Sequence, residues 1–297
     1  MNPNSSSLLR LWALYSAWVA AVCLLFWKPL HILTHYALTS SDASHILTLP
    51  IFVAWLFWTE PPRVEQRTAL DLKTALLFAL PAAALALLSF PKLGPAPEWP
   101  LAGLVIALIF LFFAGFAAIF GGPAAQRSWF PFAFAAFAIP LPPPVLDRVV
   151  SVLQWGSAGV ADIVFQLTGL PVLREGLIFR MPSFAIEVAG ECSGIRSSMA
   201  LLILAVLIVH FSFTRFWKKA AFVFAGMLMM LIKNGVRIAT LTLLAQYVNR
   251  DFLFGRLHRE GGVVFFLLGL ALLLPLYWLL RRGERPARIE KAASVPA

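Results

Sequence analysis

Residues 188–211 read VAGECSGIRSSMALLILAVLIVHF, a short polar turn followed directly by an apolar run. Residues 199–209 carry no charge, which predicts a helix in a lipid environment. The whole chain agrees: it has 297 residues, a mean hydropathy of +0.83 and only 13% charged residues. Charged residues make up about a quarter of a soluble domain, so the composition indicates a polytopic membrane protein.

Apolar stretches long enough to cross a bilayer predict an all-α, polytopic membrane helical bundle of about eight transmembrane helices. The predicted spans are 9–29, 44–59, 69–90, 101–121, 128–143, 196–213, 218–247 and 260–280. Segment 144–195 is expected to lie outside the membrane and to form the catalytic external segment of a membrane domain over 1–280. Residues 281–297 form a basic tail, expected in the cytoplasm.

The distribution of Lys and Arg predicts the orientation of the chain. Most basic residues fall in alternate turns and in the tail, which puts both termini in the cytoplasm by the positive-inside rule. The net charge of +10 is therefore explained by topology, and no nucleic-acid partner is expected. The exceptions, which predict a shared external site, are Arg148, Arg174, Arg180, Arg196, Arg250, Arg256 and Arg259.

Cys192 is the candidate nucleophile. The chain has two cysteines, and Cys23 lies within the first apolar run, where it is expected to be a small buried side chain without a disulfide. Cys192 instead lies between Gly190 and Gly194 at the start of a predicted helix, whose dipole favours a thiolate. The alternative is an inert buried cysteine, but the polar neighbours Glu191 and Arg196 argue against an apolar environment.

A second polar group occurs in the stretch IKNGVRI, 232–238. A lone arginine inside a membrane helix costs about 2.5–3.5 kcal/mol, so Arg237 is expected to face a partner or a water-filled cavity. It is a candidate for binding substrate or a developing oxyanion, with Lys233 and Asn234 as neighbouring binding residues. Snorkelling of Lys233 and Arg237 to the interface remains an alternative, and Arg196 is a competing oxyanion donor.

His258, in RLHREGG at 256–262, precedes the last span and is the candidate proton-transfer residue. Considered alone, it would more often be an interfacial histidine. His31 and His35 have HxxxH spacing, but no further ligand follows until Asp42, so neither a metal nor a cofactor is predicted.

The stretch REGLIFRMPSFAIEVAGECSGIRS, followed by KNGVRI and then HREGG, resembles the exosortase/archaeosortase family of polytopic sorting enzymes. The resemblance implies a membrane cysteine protease or transpeptidase that cleaves a C-terminal signal from secreted proteins. That signal comprises a Pro-Glu-Pro-like motif, a hydrophobic helix and a basic cluster. By matched motif, Cys192 is the nucleophile, Arg237 stabilises substrate or oxyanion, and His258 transfers protons.

The predicted substrate carries its own C-terminal helix and enters from the bilayer, so tagged secreted proteins and membrane lipid are the expected partners. The predicted substrate-binding residues are Glu191, Arg196, Lys233, Asn234 and Arg259. The expected location is the bacterial inner membrane, with the site on the external side. The alternative function is an anion or lipid-linked saccharide transporter, or a polysaccharide-export subunit, in which Cys192 would be dispensable.

Overall fold

A computed structural model describes residues 5–40, 42–62, 70–94, 98–190, 194–253 and 262–284. The chain divides into two compact units, Met1–Val145 and Leu146–Ala297, here called unit 1 and unit 2. Seven helices within the described ranges are long and apolar enough to cross a membrane, with shorter apolar helices at Ser44–Thr59 and Trp129–Ala138. The predicted all-α polytopic class is therefore confirmed, whereas these ranges contain seven long spans rather than eight.

The described residues of unit 1 form seven α-helices and three short 3₁₀ turns. Its helices are α1 (Ser5–Leu25), α2 (Trp27–Thr39), α3 (Leu49–Thr59), α4 (Leu72–Ser89), α5 (Glu98–Phe120), α6 (Gly122–Arg127) and α7 (Trp129–Phe134). The Trp18 indole of α1 packs on Gly115 and donates a hydrogen bond to the Leu111 carbonyl, 2.9 Å away. Asp71 caps α4 through the Thr74 amide at 3.2 Å and also accepts from the Gly122 amide at 2.9 Å. These contacts pack α1 against α5 and join the start of α4 to the start of α6.

Unit 2 contains four long helices and one small sheet. Its elements are α8 (Pro143–Thr168), β1 (Leu173–Glu175), β2 (Ile178–Arg180), β3 (Ala185–Glu187), α9 (Ile195–Ser212), α10 (Phe216–Tyr247) and α11 (Gly262–Arg281). A 3₁₀ turn, Arg250–Leu253, follows α10.

Two predicted boundaries around 141–146 were wrong. The stretch 128–143 was expected to span the membrane, but it forms only α7 and a 3₁₀ turn at Ala135–Ala138. Segment 144–195 was expected to contain no span, yet α8 is long and apolar enough to be one. Proline at the first position of a helix needs no amide hydrogen bond, so the LPPPVL stretch starts a helix. Five charged or amide side chains in α8 had obscured its apolar character: Asp147, Arg148, Gln154, Asp162 and Gln166.

Contacts define the helix directions in unit 2. Going along α8, Ser157 contacts Asn234, and Ala161 clusters further on with Ile238, so α8 and α10 run parallel. Helix α9 is antiparallel to α10, because Ser197 at its start contacts Lys233 while Phe213 just beyond its end contacts Phe222. Helix α11 is also antiparallel to α10, since Gly269 lies against Lys233 and the Leu280 carbonyl meets Lys218. The starts of α9 and α11 therefore lie towards the same end of unit 2 as the close of α10.

The sheet covers the late turns of α8 and α10. Its strands are antiparallel in the order β1-β2-β3, and Arg174, Phe179 and Ile186 lie opposite one another on one face. Phe179 is fully buried and clusters with Phe165 of α8 and Ala239 of α10. This packing places the chain that leaves β3 beside α8 and directs it towards the start of α9.

Candidate functional site

Gly194 ends the polar turn and precedes the first residue of α9. Its φ of +70° lies in the left-handed region, which favours glycine over residues with a side chain. A Cβ at this position would stand 2.7 Å from Asn234 Oδ1 and 2.9 Å from its Cγ. Gly194 therefore packs directly on the KNGVR segment of α10.

Asn234 is held from its other side by α8. Its Nδ2 donates to Ser157 Oγ at 3.1 Å, and only 1% of Asn234 is exposed. The next residue, Gly235, lets α8 and α10 approach closely, because a Cβ there would stand 2.5 Å from Val160 Cβ and 2.7 Å from the Ser157 carbonyl oxygen. The Asn-Gly pair thus joins α8, α10 and the start of α9.

Lys233 is buried beside this junction, with 3% of its surface exposed. Its Nζ donates to Ser197 Oγ at 2.5 Å, and Ser197 Oγ donates in turn to the Gly194 carbonyl at 3.0 Å. Gly269 of α11 lies over the aliphatic stem of Lys233. The snorkelling alternative is therefore wrong for Lys233, because its ammonium group points into the unit instead of reaching the surface.

The segment leading into the turn is anchored on α8. Gln154 Nε2 donates to the Val188 carbonyl at 2.7 Å, and a Cβ on Gly190 would lie 3.7 Å from Val150 Cγ1. Described residues thus fix both sides of the ECS tripeptide: Gly190 on α8 and Gly194 on α10.

The other predicted site residues fall into two groups. Arg237 lies one turn beyond Lys233 on α10, where it is half-buried and interacts with other groups of the protein, whereas Arg196 is exposed on the first turn of α9. Glu191, Cys192, His258 and Arg259 lie outside the described residues. Their roles, and the choice between Arg196 and Arg237 as oxyanion donor, stay predictions.

Several arginines assigned to a shared external site have structural partners instead. Arg174 pairs with Asp162 of α8 at 3.3 Å and lies over the Phe179 ring. Arg180 pairs with Glu175 at 2.7 Å across the exposed face of the sheet.

Two further arginines complete this correction. Arg250 donates to the Ser183 carbonyl at 2.6 Å, which joins the turn after α10 to the sheet. Arg148 lies on the exposed surface of α8, so it does not belong to an external loop as expected. These contacts explain the position of Arg174, Arg180 and Arg250 without a substrate.

The sequence profile of transmembrane exosortases matches residues 34–275, which is most of the chain and contains all of these elements from α3 to most of α11. The chain belongs to the transmembrane exosortase family. Together with its long apolar helices, this makes it a multi-pass membrane protein and a membrane-embedded sorting enzyme that acts on membrane-associated protein substrates. No curated protein and no solved structure matches it.

Sequence reasoning missed two residues that contact the candidate site, Gln154 and Ser157, because it left α8 unassigned. The signal was present in WGSAGVA, 155–161, where small residues recur at helical spacing. In membrane helices such residues mark close helix–helix packing.

The histidines of unit 1 provide no metal centre within the described ranges. His31 and His35 are exposed on α2, and no group of three His, Cys, Asp or Glu side chains is close enough there to bind a metal ion. His45 lies between two carbonyl oxygens, those of Asp42 and Phe137, each 3.1 Å from a ring nitrogen. Its contacts are those of a structural residue that joins two 3₁₀ turns.

Proposed function

We propose that this exosortase is a cysteine-dependent endopeptidase and transpeptidase that removes C-terminal sorting signals from secreted proteins. The observation that carries the proposal is the contact between Gly194 and the Asn234 side chain. It joins two of the three motifs on which the family resemblance rests, ECSG and KNGVR, although they are far apart in sequence.

Cys192 is the proposed nucleophile. It precedes Gly194 by two residues, so covalent geometry limits the separation of their Cα atoms to about 7.6 Å. Gly194 in turn contacts α10, which carries Lys233 and Arg237 as well as Asn234. Positive charge and a helix N-terminus close to a thiol favour its thiolate form. This neighbourhood supports a nucleophile better than an inert buried cysteine.

The proposed reaction has two steps. The Cys192 thiolate attacks the scissile carbonyl carbon, and the guanidinium group of Arg237 stabilises the resulting oxyanion. Collapse of this intermediate forms a thioester and releases the C-terminal helix as an amine, which receives a proton from His258. An amine, a hydroxyl group or water then attacks the thioester while His258 takes its proton, and Cys192 leaves as the thiolate.

The proposed substrate is a secreted protein that ends in a Pro-Glu-Pro-like motif, a hydrophobic helix and a basic cluster. Its helix lies in the bilayer, so the motif arrives at the membrane boundary beside the start of α9. Arg196 is exposed there and can bind the motif glutamate, with Glu191 and Arg259 as neighbouring binding residues.

The proposed orientation places both termini in the cytoplasm, with the shorter apolar helix Ser44–Thr59 as an eighth crossing, and the sheet end of unit 2 outside the bacterial inner membrane. The charges of the two ends support it. The opposite end, around the α9–α10 turn and the close of α11, carries Arg215, Lys218, Lys219, Arg281 and Arg282. The sheet end carries fewer basic residues beyond its ion pairs: Arg174 and Arg180 are paired with the carboxylates of Asp162 and Glu175, which leaves Arg196 and Arg250 among the described residues.

Processing of a reporter tests the proposal. Cells that express the enzyme and a tagged secreted protein with a Pro-Glu-Pro-type tail are compared by precursor-to-product immunoblot at equal membrane abundance. Cys192→Ala abolishes the product, and Arg237→Ala and His258→Ala reduce it strongly. Cys23→Ala is the matched control, because it removes the other thiol of the chain, in α1, and leaves processing unchanged.

The same experiment identifies failure. Normal processing by Cys192→Ala would reject the assignment of Cys192 as nucleophile. If Lys233→Met and Arg237→Ala nevertheless lost reporter processing, an anion-transport role for the cations of α10 would be favoured.

A further inference from the structure

Lys233 is too deeply enclosed to bind a protein substrate directly. Its side chain is covered by Gly269 of α11, and its ammonium group contacts Ser197 on the first turn of α9. A residue that binds substrate needs a path to it, whereas Lys233 faces the interior side of the junction between α9 and α10. Its predicted role in substrate binding is therefore replaced by a different one.

We propose that Lys233 is a positioning residue that acts through Ser197 on Gly194 and so fixes the turn preceding α9. These three residues form the Lys233–Ser197–Gly194 relay. The proposal rests on the proposed function, because its importance for catalysis depends on Cys192, two residues earlier, being the nucleophile.

The direction of each hydrogen bond supports the relay. An ammonium group can only donate, so Ser197 Oγ accepts from Lys233, and its own hydrogen is then available for the Gly194 carbonyl. The same carbonyl accepts the Ser198 amide at 2.9 Å. Two donors therefore fix the peptide plane after Gly194, and the left-handed φ of Gly194 sets the direction of the chain on its other side.

The relay and the Asn234 contact hold the turn from two sides. Asn234 limits the approach of Gly194 to α10, while Ser197, which accepts from Lys233, donates to the Gly194 carbonyl. Both residues come from adjacent positions of one helix, and α8 locks that helix through Ser157. A nucleophile must be held to within a fraction of an ångström for an efficient attack, which such a rigid support provides.

Kinetics of the full-length enzyme in lipid nanodiscs test the relay, with the tagged reporter as substrate. Lys233→Met keeps the length of the side chain but removes the donor, and Ser197→Ala removes the hydroxyl group. We expect each variant to lower kcat by about 10- to 100-fold with KM close to the wild-type value. The double variant should be no slower than the slower single variant, because both break one chain of hydrogen bonds.

Two further variants separate positioning from loss of stability. Ser197→Thr retains a hydroxyl group and should recover most of the activity lost in Ser197→Ala. Thr242→Val removes a buried hydroxyl group from α10 that donates to the Ile238 carbonyl of the same helix, and it should leave kcat unchanged. Ser197→Ala removes only one oxygen atom and is expected to fold, so it can test the relay even if Lys233→Met does not fold.

Three results would overturn the relay: wild-type kcat in both single variants, a raised KM in Lys233→Met with normal Ser197→Ala, or losses that multiply in the double variant. Failure of the proposed function has a different signature, since Cys192→Ala would then process the reporter at the normal rate.

Discussion

Helix α10 buries two lysines, and unit 2 surrounds them with very different partners. Lys218, at the end where α10 begins, donates to the Leu280 and Arg282 carbonyls at 2.7 and 3.0 Å and pairs with Glu284 at 3.1 Å. Lys233, beside the start of α9, has Ser197 Oγ as its hydrogen-bond acceptor among the described residues. Both lysines are nearly inaccessible, with 5% and 3% of their surfaces exposed.

The difference separates a structural lysine from a functional one. Three acceptors, one of them a carboxylate, satisfy the Lys218 ammonium group, and they join α10 to the close of α11. Removing one partner of such a buried ion pair strongly destabilises the folded protein, because the other charge stays buried without compensation. Lys233 has a neutral acceptor that passes the interaction on to Gly194, so its removal should affect chemistry more than folding.

The largest expected effect is on stability, from Lys218→Met. Loss of the ammonium group leaves the Glu284 carboxylate buried without its cation and leaves two carbonyls without their donor, at a cost of about 3–5 kcal/mol. Thermal unfolding in detergent and membrane abundance measure this loss. Lys219→Met is the matched control, because it removes the same charge from the neighbouring, more exposed position.

The structural role of Lys218 would be contradicted if Lys218→Met were as stable as Lys219→Met. The contrast between the lysines would break down if Lys233→Met lowered the unfolding temperature as much as Lys218→Met does.

An intermediate effect is expected at Gly194 and can be separated from backbone strain. Gly194 and Gly169 both have a positive φ, +70° and +69°, but only Gly194 has a close neighbour, Asn234. Alanine at either position costs about 1 kcal/mol in backbone strain. Gly194→Ala should additionally displace the turn and lower reporter processing by about tenfold or more.

Gly169→Ala should process the reporter at the wild-type rate. Equal loss in both variants would mean that strain alone accounts for the effect and that the contact with Asn234 has no catalytic importance.

The smallest expected effect is a pH dependence at Glu284, which follows the last span. Burial disfavours its charged form, but hydrogen bonds from Thr214 and the interaction with Lys218 outweigh this and lower its pKa from 4.5 to about 2. Because the folded pKa is depressed, the stabilisation is complete above about pH 4.5 and is lost as the pH falls towards 2.

Unfolding temperatures measured between pH 6 and pH 3 test this sign. Wild type should lose stability over that range faster than Glu284→Gln, in which the titrating group is absent. Parallel curves for the two proteins would show that the charge of Glu284 does not stabilise the end of α11.

The sequence was sufficient to predict the family and most of the long helices. Uninterrupted apolar runs such as 199–209 specify a membrane helix locally, because each residue contributes its own transfer free energy. The ordered ECSG, KNGVR and HREGG motifs pointed to the family that the profile match confirms. The membrane class, the helices α9 and α10 and the candidate site on their polar residues all follow from short stretches read along the chain.

Only the tertiary structure assigned partners to the polar residues. Hydropathy understated α8 because it counts the polar side chains of Asp162 and Gln154 as unpaired. In the fold, Asp162 pairs with Arg174 and Gln154 donates to the Val188 carbonyl. These partners come from other segments of the chain. For the same reason the partners of Lys218 and Lys233 do not follow from the sequence: one lysine is held by a carboxylate and the other by a serine close to Gly194. Transfer free energy is a property of each residue, so sequence predicts it; the partner of a buried charge is a property of packing, so the fold decides it.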